Sequence, residues 1–408
     1  MLNFITGGVC AAQGFRAGGI HVGVKTHAAW KKDVALIVSD EDCACAAVYT
    51  KNAVKAAHIH VDKRHLADGK ARAAVINSGN ANACAPMGEE NAERVCAAAG
   101  KALGCRPEDV VVAATGVIGQ TLNVAVIEQG MPELCAAAAH TAAGSDAAAH
   151  AIMTTDTVKK ELAVETVIGG KTVRMGGIAK GSGMIHPNMG TMLCFLTTDC
   201  AITQEMLQDA LHDIVPRTFN RVTVDGDTST NDTCVVLANG LAGNPAITGP
   251  GEDYDIFFAA LRHVCEYEAK MIASDGEGAG RLITCTVMGA ETEEQAEQMA
   301  KAVVRSPLVK CAVFGTDANW GRVLCAIGYS GAQFDPKDVE VKFLSRAGEL
   351  LVCAGGQGVA FDEALAKRVL SEDEVVIQVT LTSGSATCSC WGCDLTYDYV
   401  KINGDYRS

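Results

Sequence analysis

The residues with the clearest chemical potential lie where a glycine-rich region meets an apolar run. Gly190 precedes Thr191, and Thr191 opens a run that continues from Met192 to Phe195. A threonine hydroxyl is a poor nucleophile unless a base lies beside it, and its own α-amine becomes such a base once the preceding peptide bond is cut. An α-amine titrates near pH ~7.7–8.0, so a useful neutral fraction exists at neutral pH. The junction therefore indicates a chain that creates its own N-terminal nucleophile.

The plainer alternative is that Thr191 caps a helix or begins a strand, and for a Gly-Thr pair taken alone that alternative is favoured. The surrounding residues favour cleavage. Gly190 tolerates a positive φ, and the turn-forming residues at 181–183 and 187–188 constrain the chain just before the Gly-Thr junction. Backbone strain at this bond would assist an N-to-O acyl shift. If Lys180 lies close, its charge would lower the pKa of the new α-amine.

Three other motifs are weaker. VIGGKT at 167–172 lacks the glycine that a phosphate loop needs five residues before its Gly-Lys pair. GEGAG at 276–280 lacks the spacing of a dinucleotide loop. Cys388, Cys390 and Cys393 are spaced as in a strand rather than in the separated pairs of structural zinc. We interpret these cysteines as core residues and expect no metal.

Composition limits the partners. The chain has 408 residues, of which 49% are hydrophobic, and a formal charge of -14. Large cores are therefore expected, whereas nucleic acid and membrane surfaces are not expected as partners. The 18 cysteines are scattered, the N-terminus carries no secretory or transit signal, and no apolar run reaches the ~18 residues of a membrane span. We expect a cytoplasmic protein with a small-molecule substrate, cysteines packed as small hydrophobes, and His58, His60 and His65 on the surface.

Short β-branched runs alternate with Ala-rich stretches, which predicts an α/β or α+β fold of sheets covered by helices. The predicted strands are 33–40, 109–115 and 374–381, and the predicted helices are 90–104 and 291–305. Between 123 and 151, a break at Gly144 predicts two helices, the second capped by Ser145 or Asp146. Dense glycine punctuation at 176–190 places the main internal boundary just before Thr191.

The stretch AKGSGMIHPNMGTMLCFLTTD at 179–199 closely resembles the self-cleavage motif of the ornithine acetyltransferase family, the glutamate N-acetyltransferases of arginine biosynthesis. Eight further motifs, spread over nearly the whole chain, are similar to family signatures in the same order. They are GGVCAAQGF, VINSGNANAC, VVVAATGVIG, IMTTDT, FNRVTVDGDTSTND, SDGEGAGRLI, DANWGRVLCAIG and WGCDLTYDYVKINGDYRS. Departures from the commonest family pattern at His186, Gly190, Gly280 and Arg281 remove no catalytic group.

The resemblance implies the layered, N-terminal-nucleophile architecture of that family. It also implies cleavage between Gly190 and Thr191 into an α chain, 1–190, and a β chain, 191–408, which stay together, usually as an α2β2 heterotetramer. Thr191 would then be the nucleophile.

The remaining site residues also come from the resemblance. Thr115 and Gly116 would form the oxyanion hole, although a strand-ending turn is the plainer alternative. The substrate contacts it implies are Thr154, Lys180, Thr191, Glu277, Asn403 and Ser408. Among these, Glu277 would meet the ornithine ammonium.

The implied reaction is ping-pong transfer of an acetyl group from N2-acetylornithine to Thr191 and then to glutamate, without a metal or redox cofactor. Acetyl-CoA as a further donor stays open. Two alternatives are a related N-terminal-nucleophile amidohydrolase or aminopeptidase, in which water is the acceptor, and an uncleaved binding protein.

Overall fold

The computed structural model describes residues 2–26, 30–186 and 192–405. The strands in this part of the chain are β1 Asn3–Ile5, β2 Phe15–Ile20, β3 Val34–Tyr49, β4 Lys70–Asn80, β5 Val110–Val117, β6 Lys160–Ile168, β7 Lys171–Lys180, β8 Leu193–Thr198, β9 Val222–Thr223, β10 Thr233–Ala238, β11 Leu282–Ala290, β12 Glu340–Ser345, β13 Gly348–Ala354, β14 Gln357–Gly358, β15 Glu374–Thr380 and β16 Ala386–Cys393. The helices are α1 Ala57–His65, α2 Gly88–Leu103, α3 Val124–Ala137, α4 Ala142–Ile152, α5 Gln204–Arg217, α6 Glu252–Ser274, α7 Glu293–Arg305, α8 Pro307–Phe314, α9 Trp320–Gly328, α10 Glu363–Leu370 and α11 Tyr397–Asp405.

The larger of the two sheets formed by the described residues contains strands from both sides of the predicted cleavage point. Its order is β1-β6-β7-β8-β10-β3-β4-β5, and β2 pairs with β3. β8 pairs antiparallel with β7 and parallel with β10, so Leu193 lies beside both Lys180 and Thr233. Strands on the two sides of the predicted cleavage point therefore pair directly with each other in this sheet.

The apolar run after Thr191 forms a strand that is buried on both faces. Because successive side chains of a strand point to opposite faces, Leu193 and Phe195 pack in one core and Cys194 and Leu196 in another. α4 belongs to the first of these cores, and α5 and α6 belong to the second. Layers on both sides explain why this strand reads as a continuous apolar run rather than an alternating one.

The smaller sheet has the order β14-β13-β12-β15-β11-β16-β9. Its apolar side chains share one core with α7, α9 and α10, represented by Ile283, Met299, Ile327 and Val369. The long helix α6 packs against strands of both sheets, β6 and β7 in the larger and β11 and β16 in the smaller. Two sheets covered by helices confirm the predicted α/β class.

The presence of the predicted strands and helices was confirmed more often than their predicted ends. β3, β5 and β15 lie at the predicted strands, and α2 and α7 at the predicted helices. The helix pair over 123–151 also exists, but its predicted break and cap are wrong. α4 already begins at Ala142, with Thr141 Oγ1 accepting from the Gly144 N–H at 3.1 Å. Gly144 lies inside the helix, and the absence of a side chain there allows close packing, because a Cβ would lie 2.4 Å from the carbonyl oxygen of Ala17 in β2.

In the part of the chain that the structure describes, no helix has both the length and the apolar character needed to cross a bilayer.

Candidate active site

The predicted site residues that the structure describes converge on one pocket with a volume of about 150 Å³. The side chains and backbone that line it are Thr115, Gly116, Ile118, Thr154, Thr155, Lys180, Gly183, Met184, Ile185, Met192, Leu193, Ser229, Asn231, Asp232, Glu277 and Asn403. The pocket thus combines one lysine, two carboxylates and several hydroxyl and amide groups with an apolar wall. Such a lining suits a small polar substrate that carries both signs of charge.

Thr115 and Lys180 are in direct contact at the pocket. Both are buried, and Lys180 Nζ donates to Thr115 Oγ1 at 3.3 Å. Lys180 is the last residue of β7, and Thr115 lies near the end of β5. The sheet therefore brings together two side chains that are 65 residues apart in the chain.

Gly116 has a backbone conformation that favours glycine, with φ at +130°. A Cβ at this position would lie 2.4 Å from the carbonyl carbon of Gly79 on the neighbouring strand. Asn231 holds the adjacent backbone, because its Nδ2 donates to the carbonyl oxygens of Ala114 at 2.8 Å and Ala81 at 2.6 Å. Close packing and side-chain hydrogen bonds together fix the backbone around Thr115.

A buried charge cluster lies behind Lys180. Lys160 Nζ is 2.7 Å from both Asp156 Oδ1 and Asp275 Oδ2, and Lys180 Nζ is 3.9 Å from Asp156 Oδ2. Burial by itself would raise the pKa of Asp156, but Lys180 and Lys160 hold it well below its usual range. Asp156 also accepts the backbone N–H of Thr154 at 3.0 Å. The cluster therefore fixes two neighbouring pocket residues, Thr154 and Lys180.

Glu277 and Asn403 form a second polar part of the pocket. Asn403 Nδ2 donates to Glu277 Oε2 at 2.7 Å, and the Glu277 N–H donates to Ser182 O at 3.1 Å. Asp394 holds the chain after Glu277, because its Oδ1 accepts the backbone N–H of Gly280 at 2.7 Å. A carboxylate held in this way offers a fixed partner for a ligand ammonium.

Gly190, Thr191 and Ser408 lie outside the described residues, whereas both flanks of the junction are described. On the upstream side, the backbone N–H groups of Met184 and Ile185 donate to Asp225 at 2.7 and 2.9 Å. On the downstream side, the Thr233 N–H donates to Met192 O at 2.9 Å. Met184, Ile185 and Met192 all line the pocket. The chain therefore borders the pocket on both sides of the predicted cleavage bond.

Sequence reasoning missed Asn231 and Asp232, which line the same pocket. Asp232 is buried, and its Oδ2 has no hydrogen-bond partner among residues 2–26, 30–186 and 192–405. Burial raises the pKa of this carboxyl well above its usual range, against opposing contacts from Thr50 and Ser229. The available signal was the polar pair immediately before the apolar strand β10.

The cysteine and histidine groups take different places in the fold. Cys388 and Cys390 are buried in β16, and the described residues contain no group of three or more histidine, cysteine or acidic side chains suited to a metal ion. The expected surface position of His58 is wrong. Its ring is buried, with Nε2 3.4 Å from Thr233 Oγ1, and burial lowers its pKa to about 3.

Comparison with known proteins gives a family match over nearly the whole length. Residues 16–408 match the model of the ArgJ family. The arginine biosynthesis bifunctional protein ArgJ of Symbiobacterium thermophilum is 52% identical over 408 residues, covering 100% of both chains.

Two solved structures match shorter parts. The crystal structure of arginine biosynthesis bifunctional protein argJ from Bacillus halodurans is 46% identical with a TM-score of 0.49, and the match covers 52% of this chain and 98% of that one. The ornithine acetyltransferase of Mycobacterium tuberculosis, complexed with ornithine, is 36% identical with a TM-score of 0.43, and the match covers 46% of this chain and 99% of that one.

Proposed function

The chain belongs to the ArgJ family, and on that premise we propose that it is a self-cleaving acetyltransferase of arginine biosynthesis. It moves the acetyl group of N2-acetylornithine to glutamate. One observation carries this proposal: Thr115, Lys180, Glu277 and Asn403, from distant parts of the sequence, line one pocket together with Met192, the residue that follows Thr191.

Self-cleavage creates the nucleophile. Thr191 Oγ attacks the carbonyl carbon of Gly190, the bond from that carbon to the Thr191 nitrogen breaks, and the nitrogen takes up the hydroxyl proton. Water then hydrolyses the resulting ester, which leaves a carboxylate on Gly190 and a free hydroxyl and α-amine on Thr191. The products are chains 1–190 and 191–408, which assemble as an α2β2 heterotetramer.

In the first half-reaction, the neutral α-amine accepts the proton of Thr191 Oγ as the oxygen attacks the acetamide carbonyl. Thr115 Oγ and the Gly116 N–H stabilise the tetrahedral oxyanion. The intermediate collapses when the bond to the ornithine nitrogen breaks, and the α-ammonium returns the proton to that nitrogen. Ornithine leaves, and the acetyl group stays on Thr191 as an ester.

The second half-reaction reverses these steps with a new amine. The neutral amine of glutamate attacks the ester carbonyl, its proton passes to the α-amine, and Thr191 Oγ leaves as the hydroxyl. N-acetylglutamate is released. Because the two amino acids share an α-amino acid frame, one site serves both half-reactions.

The pocket charges suggest how that frame is held. Glu277 pairs with the δ-ammonium of ornithine, and Lys180, Thr154, Asn403 and the terminal Ser408 contact the remaining polar groups. These roles need no metal or redox cofactor. We further propose acetyl-CoA as a second donor for glutamate, in keeping with the bifunctional name of the relatives. The proposed location of the protein is the cytoplasm.

Two measurements test the proposal. Intact mass under denaturing conditions, with N-terminal sequencing, is expected to show two chains, the second beginning at Thr191. Incubation with N-acetylornithine is expected to give sustained ornithine release only when glutamate is present. Release at the same rate without glutamate would instead identify an amidohydrolase, and one persistent chain of 42.4 kDa would contradict self-cleavage.

A further inference from the structure

Asp156 lies between two lysines behind the pocket. Its Oδ1 accepts from Lys160 Nζ at 2.7 Å and from the Gly181 N–H at 2.8 Å, and its Oδ2 accepts from the Thr154 N–H at 3.0 Å. Lys180 Nζ is 3.9 Å from Oδ2. The Asp156 side chain is buried and does not line the pocket, so any effect on a bound substrate passes through its neighbours.

The contact between Lys180 and Thr115 has a direction that depends on charge. A lysine ammonium has three donors and no acceptor, so Thr115 Oγ1 must accept when Lys180 is protonated. The hydroxyl proton of Thr115 is then available to another acceptor. A neutral amine has a lone pair, which lets Thr115 turn its O–H toward Lys180 instead. The protonation state of Lys180 therefore decides where Thr115 donates.

We propose that Asp156 is a positioning residue for acetyl transfer: its carboxylate keeps Lys180 protonated, and charged Lys180 makes Thr115 a donor to the developing oxyanion. This inference rests on the proposed function, in which Thr115 belongs to the oxyanion hole. Asp156 touches neither the substrate nor the reacting atoms.

The surroundings of Lys180 explain why this carboxylate matters. The charged groups that face it are Asp156, Glu277, Asp232, Lys160 and Lys25. Burial lowers the pKa of Lys180, the three carboxylates raise it, and Lys160 lowers it. Among the described residues, Asp156 is the one carboxylate within 4.0 Å of Lys180 Nζ. Without Asp156, the buried Lys180 ammonium would keep the like charge of Lys160 nearby and would have no carboxylate within 4.0 Å among the described residues, whereas Lys160 would keep Asp275 at 2.7 Å.

The test is the pH dependence of kcat/KM for transfer from N-acetylornithine to glutamate. In Asp156→Asn, the decline at high pH is expected to begin about one pH unit lower or more, because an opposite charge within about 4–6 Å shifts a pKa by about 1–3 units. In Lys160→Gln, which removes a like charge and keeps a donor, the decline is expected to move to higher pH. Opposite shifts separate charge control of Lys180 from general damage to the fold.

Thr115 variants test whether the shift in the pH profile acts through stabilisation of the oxyanion. At a pH above the point where the activity of Asp156→Asn begins to decline, this variant is expected to lose up to about 10²–10³-fold in kcat, which is the effect of removing one oxyanion donor. Thr115→Ser keeps the hydroxyl and should retain this dependence on Asp156. In a Thr115→Val background, Asp156→Asn should cause little further loss, because the donor is already gone.

Thermal unfolding and the extent of self-cleavage are measured on every variant. If Asp156→Asn does not fold, the direction of the shift in Lys160→Gln decides. Shifts of the same sign, or no shift in a folded variant, overturn the inference. Wild-type protein that transfers no acetyl group contradicts the proposed function itself, whereas an active wild type with unmoved variants contradicts only the role of Asp156.

Discussion

Replacing Glu277 with Gln removes one charge from the pocket and almost none of its shape. Glu277 is 8% exposed, and its Oε2 accepts from Asn403 Nδ2 at 2.7 Å. Glutamine retains a carbonyl oxygen for that contact, and the backbone bond from the residue 277 N–H to Ser182 O does not involve the side chain. The substitution is therefore expected to leave the fold and self-cleavage intact.

The expected loss lies in the interaction with the δ-ammonium of N-acetylornithine. Hydrogen bonds to charged groups contribute about 1.5–3 kcal/mol. Since about 1.4 kcal/mol corresponds to a factor of ten, kcat/KM for this donor should fall roughly 10- to 100-fold. Because Glu277 is buried, water and salt screen the interaction less than they would at an exposed site.

The assay compares two donors on two proteins. N2-acetylornithine and N2-acetylnorvaline share a carbon skeleton, but norvaline lacks the δ-amine. Glu277→Gln should reduce kcat/KM strongly for the first donor and little for the second. Glu266→Gln, which removes a partly exposed carboxylate paired with Lys270 at 2.9 Å on α6, controls for the change in net charge. Equal losses with both donors would refute the assignment of Glu277 to the ammonium.

Three further predictions concern other parts of the chain. Thr191→Ala should abolish both cleavage and acetyl transfer. Turnover by a pure sample of this variant, measured as ornithine release, would contradict the mechanism. Gly116→Ala should lower the free energy of unfolding by roughly 1–3 kcal/mol and reduce kcat, because the new Cβ would meet the Gly79 backbone at 2.4 Å and the φ of residue 116 is +130°. Urea unfolding would measure the stability and initial rates the activity, and unchanged stability would contradict this prediction. Between pH ~6.5 and about 3, the unfolded chain binds a proton at His58 that the folded chain does not, so stability falls with decreasing pH by at most about 1.4 kcal/mol per unit. In His58→Gln, urea unfolding between these pH values should show a flatter dependence, and an unchanged slope would exclude this contribution.

Local sequence patterns predicted much of the fold. β5 lies at the predicted strand 109–115 because its β-branched residues follow one another in the sequence, and α7 ends at Arg305, as predicted, because its apolar periodicity stops there. The cap of α4 was missed. Thr141, Ser145 and Asp146 are all suitable capping residues, and residue type alone does not distinguish them; in the structure Thr141 is the cap, and Gly144 lies inside the helix against Ala17.

The residues of the candidate site were also only partly predictable from the sequence. Family motifs in the sequence named Thr115, Lys180 and Glu277, and the structure brings these three to one pocket. No motif indicated that Asp156 would sit between two lysines or that Asp232 would be buried beside Met192. A carboxylate in a sequence carries no mark of its burial, because burial depends on strands and helices that arrive from distant parts of the chain.

The sequence by itself determined the α/β class, the Gly-Thr junction and the residues that resemble a known catalytic set, since these depend on residue type, local periodicity and motif order. Only the tertiary structure decided which side chains share the pocket, that Lys180 donates to Thr115, and that His58 is buried. A hydrogen bond requires donor and acceptor atoms about 3 Å apart, and charges in a protein shift each other's pKa over several ångströms. The number of residues between two side chains in the sequence does not determine either distance.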